Sequence, residues 1–138
     1  MLINMLIIGC GSALGGILRF LSYEMVNIFN KNLMQNNALL SINKFPFATL
    51  LVNVIGSFLA GILYFFIIKN FNEFSSNLKN FLLIGFLGGY TTFSAFSLDL
   101  FRLIQANQNF QALIYAILSV LISLIAIFLG FYLMKFCC

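Results

Sequence analysis

Residues 85–97 read Gly85-Phe86-Leu87-Gly88-Gly89-Tyr90-Thr91-Thr92-Phe93-Ser94-Ala95-Phe96-Ser97. They sit inside an apolar run over 81–101 that is long enough to cross a hydrocarbon core of ~30 Å as a helix. Two glycines followed by two threonines nevertheless make a poor mid-membrane helix. Glycine costs helix stability, and a threonine hydroxyl competes for backbone groups. The spacing predicts a third helix broken near Gly88 to Thr92, with a small-residue packing notch as the second reading. Carbonyls freed by a break are tolerated in a membrane only where protein or water covers them. A half-helix end of this kind is also a usual holder of Na⁺.

The rest of the chain has the same character. Of its 138 residues 62% are hydrophobic and 7% are charged, and 18 are Phe. Soluble domains carry about 25% charged residues, so this composition excludes a water-facing surface, and it excludes disorder for the same reason. Three further stretches are long enough to span, at about 1–23, 45–68 and 112–136. With the third they leave only connections, which predicts an all-α membrane protein of four transmembrane helices in a single membrane domain, 1–138. The first stretch lacks the basic start and small-residue cleavage site of a signal peptide, so it reads as a mature helix. Met25, Phe29 and Leu33 recur every four residues after it and extend it along the interface. Pro46 opens the second span, where its missing N–H costs least.

The seven basic residues, Arg19, Lys31, Lys44, Lys69, Lys79, Arg102 and Lys135, are scattered. Nucleic-acid binding needs grouped charge, so none is expected; the lipid bilayer is the partner the charges suit. Lys69, Lys79 and Lys135 fall on one side of a four-span chain, and Lys31, Lys44 and Arg102 on the other, with Arg19 near the latter. The bias that normally orients a membrane protein is thus almost absent. Insertion in both orientations and an antiparallel dual-topology homodimer follow as one reading; a single strong local signal is the other. Small residues at i, i+4 (Gly11 and Gly15, Ser12 and Gly16, Gly56 and Ala60, Ser57 and Gly61, Gly85 and Gly89) indicate close helix contacts, within or between chains.

Intramembrane polar residues are costly and therefore functional candidates. The chain has no His, and Glu24, Glu73 and Asp99 fall in loops or at span ends. No carboxylate is expected mid-membrane, and no phosphate-binding loop, metal-ligand cluster or nucleophile–base pair occurs. An enzyme or a driven transporter lacks its chemistry here, and a passive path fits. Asn53, among aliphatics, either bonds two helices together or lines a wet cavity. Phe93 and Phe96 share a face, where their positive ring edges either meet a small anion or simply pack. Tyr115, Ser119 and Ser123 form a hydroxyl stripe that replaces the water around an anion or bonds to a neighbouring helix.

The third-span motif, the lone Asn53 in the preceding span and the first-span pattern Gly11-Ser12-Ala13-Leu14-Gly15-Gly16-Ile17-Leu18-Arg19 together resemble the Fluc fluoride channels, also called the CrcB family, over essentially the whole chain. The resemblance implies a dual-topology homodimer of four-helix subunits in a bacterial inner membrane, passively conducting fluoride out of the cell. It implies that Gly88 and Thr91 hold a central structural Na⁺ through backbone carbonyls from both subunits. Phe93 and Phe96 would line the paired fluoride pathways and Asn53 would hydrogen-bond in the pore. Tyr115, Ser119 and Ser123 would form a polar track, joined by Thr49 one turn before Asn53. Arg19 would draw anions to a vestibule or anchor the helix. Asp99 stands where many relatives have Glu, which puts the role of that carboxylate in doubt.

Two rival functions belong to other classes. A small multidrug-type antiporter needs a membrane-embedded Glu, which this chain lacks. A non-transporting membrane subunit would use the same Asn, Thr and Ser residues for packing alone. Cys10, Cys137 and Cys138 read as reduced thiols.

Overall fold

The computed structural model describes residues 1–36, 45–69 and 75–137. Lys44, Glu73 and Cys138 lie outside the described residues. Every described element is helical, and four helices are long and apolar enough to cross a membrane. Helix α1 is Leu2–Asn36 and α2 is Phe47–Lys69. The third span starts as α3, residues 76–90, and resumes as α4, Phe93–Gln105; α5, Asn109–Cys137, is the fourth. The first helix continues well past Tyr23, as the interfacial pattern predicts. Its 35 residues make about 52 Å of helix, longer than the hydrocarbon core requires.

Two close pairings build the bundle, α1 against α3 and α2 against α5. Glycine makes both possible, because lipid offers no hydrophobic drive and backbones must approach closely. A Cβ on Gly11 would lie 2.7 Å from the Phe81 carbonyl oxygen, and one on Gly85 would lie 2.9 Å from that of Ile8. Gly15 and Gly89 are pressed in the same way against the backbones of Phe86 and Ser12. On the other pair, Gly61 meets the Ile127 carbonyl and Gly130 that of Phe58. The small-residue pairs therefore serve contacts within the chain at these positions. Gly9 and Gly16 have open space where a side chain would be.

Helix α3 is wide over Asn80–Leu87, where it takes π-helical turns. Such turns are rare and cluster at functional sites. Asn107, at φ 57°, turns the chain from α4 into α5; the N–H groups of Asn107 and Gln108 close α4 on the carbonyls of Ile104 and Leu103. This short turn sets α4 antiparallel to α5 and brings Phe96 to Tyr115. The small buried core sits there, formed by Leu103, Ala112 and Tyr115 with Phe45, Leu50, Phe96 and Leu100 against it. Large apolar side chains such as Ile17, Phe20, Ile125 and Leu129 face outward, as lipid-facing residues do.

Candidate functional site

The third span breaks where the sequence predicts. Helix α3 ends at Tyr90, and Thr91 and Thr92 are extended, with ψ 158° and 116°. The two threonines divide the work. Thr91 closes α3, since its N–H and its hydroxyl both donate to the Leu87 carbonyl at 2.9 Å. Thr92 opens α4, since its Oγ1 accepts the Ala95 N–H at 3.2 Å as an N-cap. The same hydroxyl lies 3.2 Å from that of Ser94.

Two side chains and one glycine from other helices hold the break. The Thr92 N–H donates to Asn53 Oδ1 at 2.8 Å, and Asn53 Nδ2 donates to the Thr92 carbonyl at 3.1 Å. Arg19 Nη1 donates to the Thr91 carbonyl at 3.3 Å. Gly56 admits the Thr91 methyl, which a Cβ there would strike. Because Thr92 gives its N–H to Asn53, the Gly88 carbonyl loses the donor that a continuing helix would supply.

Beside the break lies an open groove of about 610 Å³ between α2, α3, α4 and α5. It gathers Asn53, Gly88, Thr91, Phe93, Phe96, Ser119 and Ser123, all singled out from sequence. The walls are mostly apolar, including Leu83, Leu87 and Leu124. Two of the polar groups in them are unspent: the hydroxyls of Ser119 and Ser123 are buried and have no hydrogen-bond partner among the described residues. Phe93, 77% exposed, projects beside them, and its ring centroid is 5.4 Å from that of Phe96.

The remaining three residues singled out lie outside the groove. Tyr115 is one helical turn beyond Ser119, fully buried, and its hydroxyl also has no hydrogen-bond partner among the described residues. Thr49 is buried nearby, donating to Asp99 Oδ2 at 2.6 Å. Arg19 approaches the break from the α1 side, through the Thr91 carbonyl.

Two further residues join this end of the track: Asp99, whose role the sequence left in doubt, and Tyr23, which it did not single out. Asp99 lies inside α4, its side chain only 17% exposed, and not in a loop. It accepts from Thr49 and pairs with Arg102 at 3.5 Å. Its place one turn after Phe96 on the same helical face is the signal that was available. Tyr23 lies 3.0 Å from Thr49 Oγ1. Thr49 spends its single proton on Asp99, so Tyr23 is the donor. A tyrosine on α1 gives no sequence signal for a contact with α2.

Hydroxyls without a hydrogen-bond partner among the described residues thus line one face of α5 beside a broken helix. A family model described as CrcB-like protein, Camphor Resistance (CrcB), matches residues 6–131. The chain belongs to the CrcB family. A relative from Rhizobium meliloti is 42% identical over 132 residues, 96% of each chain. One from Francisella tularensis subsp. tularensis is 43% identical over 131 residues, 93% of this chain and 92% of that one. One from Coxiella burnetii is 41% identical over 127 residues, 92% of this chain and 94% of that one. Each of these is named a fluoride-specific ion channel FluC. As a CrcB protein with four spanning helices, the chain is a multi-pass membrane protein.

Proposed function

We propose that the chain is a passive fluoride channel, and that two copies related by antiparallel insertion form the conducting unit in a bacterial plasma membrane. The observation that carries this reading is the row of buried hydroxyls without partners, Tyr115, Ser119 and Ser123, running beside the break. A buried polar group without a hydrogen bond costs about 1–3 kcal/mol, so a fold that keeps three of them in line is keeping them for something else. Fluoride is small and strongly hydrated, and a dry path must return its lost hydrogen bonds at close range. The hydroxyls provide donors, Asn53 provides an amide N–H, and Phe93 and Phe96 provide positive ring edges. Larger anions fit such close-set donors poorly. The names of the relatives supply the ion.

Nothing in the polar set provides coupling to an energy source, so flux follows the electrochemical gradient. A negative-inside potential then drives the anion outward, which makes the protein an exporter of fluoride that has entered as the neutral acid. The near-even charge on the two sides supports insertion in both orientations. In an antiparallel pair, the open groove of each copy is closed by the other.

A structural Na⁺ fits the groups at the break. Carbonyl oxygens are hard donors suited to Na⁺. The Gly88 carbonyl has lost its helical partner, and the Thr91 carbonyl keeps a second lone pair beside the one Arg19 uses. Bound there, the ion would offset the partial negative charge of the α3 end.

The test is fluoride efflux from liposomes carrying the purified protein, with chloride in parallel. Rapid fluoride release without chloride release is the expected result. A folded dimer that releases neither would reduce the groove to a packing feature.

A further inference from the structure

The break is templated by α2, and the geometry assigns Asn53 to that task. We propose that Asn53 is a positioning residue whose amide takes the place of a neighbouring β-strand and holds Thr92 extended. Only the flux part of its test rests on the groove being an anion path.

Thr92 is extended, at φ −152° and ψ 116°. In extended backbone the N–H and C=O of one residue point to the same side, as in a hydrogen-bonded pair of an antiparallel sheet. One edge of a primary amide offers an acceptor and a donor with matching spacing. Asn53 presents that edge, and both bonds form, at 2.8 and 3.1 Å. A single side chain therefore satisfies both backbone groups of a non-helical residue at membrane depth, where unsatisfied groups are not tolerated.

The fit is specific to asparagine. Asp offers two acceptors and would set a charged oxygen against the Thr92 carbonyl. Leu offers neither group, and Gln places the amide one carbon too far away. Gly56 extends the template, because it lies on the same α2 face at i+3 and leaves room for the Thr91 methyl. Consecutive residues of the break are thus set by consecutive features of one helix face.

A further consequence follows for Asn53 itself. The amide cannot flip without losing both bonds, so its orientation is locked and a single Nδ2 hydrogen is left. Asn53 also lines the groove. It contributes one oriented donor there, and its larger effect is exerted through the backbone that carries Phe93 and Phe96.

The test measures backbone amide exchange in residues 91–97 of the full-length protein, together with fluoride flux in liposomes. In Asn53→Ala, exchange at Thr92, corrected for the intrinsic rate, rises about tenfold, the change for losing one buried hydrogen bond. Protection around Gly61 stays at the wild-type level. In Asn53→Asp the carboxylate still accepts the Thr92 N–H, so exchange at Thr92 rises less than in Asn53→Ala. Because Gly61 reports on folding in the same sample, global loss of folding cannot mimic this order of the two variants. Unchanged exchange at Thr92 in Asn53→Ala overturns the proposal. If wild type passes no fluoride while exchange follows the expected pattern, the clamp stands and the channel reading fails. If wild type conducts and exchange is unmoved, the clamp alone fails.

Discussion

The ring of Phe96 lies 5.3 Å from that of Tyr115, tilted by 38°, while Phe45 meets the same tyrosine edge-on at 5.6 Å. Rings from α4 and from the residues just before α2 thus box in a side chain whose hydroxyl has no hydrogen-bond partner among the described residues. The packing of Tyr115 and the availability of its oxygen are separate properties, and substitution separates them.

Tyr115→Phe keeps the aromatic box and removes only the unpartnered hydroxyl. Its melting temperature is expected to equal or slightly exceed that of wild type, since an orphaned buried group carries a penalty of about 1–3 kcal/mol. Fluoride flux is expected to fall about tenfold, the rate equivalent of ~1.4 kcal/mol in a barrier. Ser119→Ala should behave alike. Stable variants with undiminished flux in the liposome assay would remove these hydroxyls from the path.

Phe93 and Phe96 predict different balances of stability and flux. Phe96 packs, tilted, against both Phe93 and Tyr115, whereas Phe93 is mostly exposed and touches Phe96. Each aromatic pair adds about 0.5–1.5 kcal/mol beyond its buried area. Phe96→Ile should therefore lower both the melting temperature and the flux. Phe93→Ile should lower flux while costing the single chain little stability. Thermal unfolding measured beside liposome efflux checks both halves.

Much of this was legible in the sequence, for physical reasons. A stretch of 20 apolar residues has few fates, so the four spans could be read directly. Gly88-Gly89 followed by Thr91-Thr92 marked the break, because those residue types resist a helix whatever surrounds them. The hydroxyl stripe was visible because its period of four is that of a helix face. Partners across helices were not legible. Nothing local tells that Asn53 spends its amide on Thr92, that Arg19 reaches the Thr91 carbonyl, or that Tyr23 meets Thr49. Asp99 was set aside as a span-end carboxylate because helix α4 runs on to Gln105, beyond where hydropathy fades.

The glycine contacts predict a graded response to one added methyl. Gly15→Ala and Gly89→Ala place a Cβ against the backbone of the facing helix, which cannot yield as a side chain tip can. Overpacking of this kind costs about 1–3 kcal/mol, and here the helices must separate. Gly9→Ala and Gly16→Ala meet open space in the same helix and should be neutral in the single chain. Melting temperatures of the four purified variants test the ranking; a destabilised Gly16→Ala would instead place that face against a second copy.

A Na⁺ held by the Gly88 and Thr91 carbonyls makes stability depend on the cation. Replacing Na⁺ by a large organic cation at constant ionic strength should lower the melting temperature. Binding linkage sets the scale, about 2.7 kcal/mol at a hundredfold excess over Kd. Equal melting temperatures in the two salts would leave those carbonyls to protein and water.

The chain from Tyr23 through Thr49 to Asp99 predicts that the middle residue matters more than the charged one. Thr49 is buried, gives its proton to Asp99 at 2.6 Å and accepts from Tyr23 at 3.0 Å. Thr49→Val removes both bonds at once, leaving the Tyr23 hydroxyl without this acceptor and the Asp99 carboxylate without its Thr49 donor, a loss of about 1–3 kcal/mol for each orphaned group. Asp99→Asn keeps an oxygen in place for Thr49 and gives up only the contact with Arg102. That contact is 3.5 Å long and its arginine is 68% exposed, so it contributes about 0–1 kcal/mol. Thr49→Val should thus unfold at the lower temperature, and Thr49→Ser, which keeps the hydroxyl, should restore most of the loss. If Asp99→Asn proves the more damaging, the carboxylate's charge acts on this end of the track beyond the bonds seen in the fold, and the chain of hydroxyls is secondary to it.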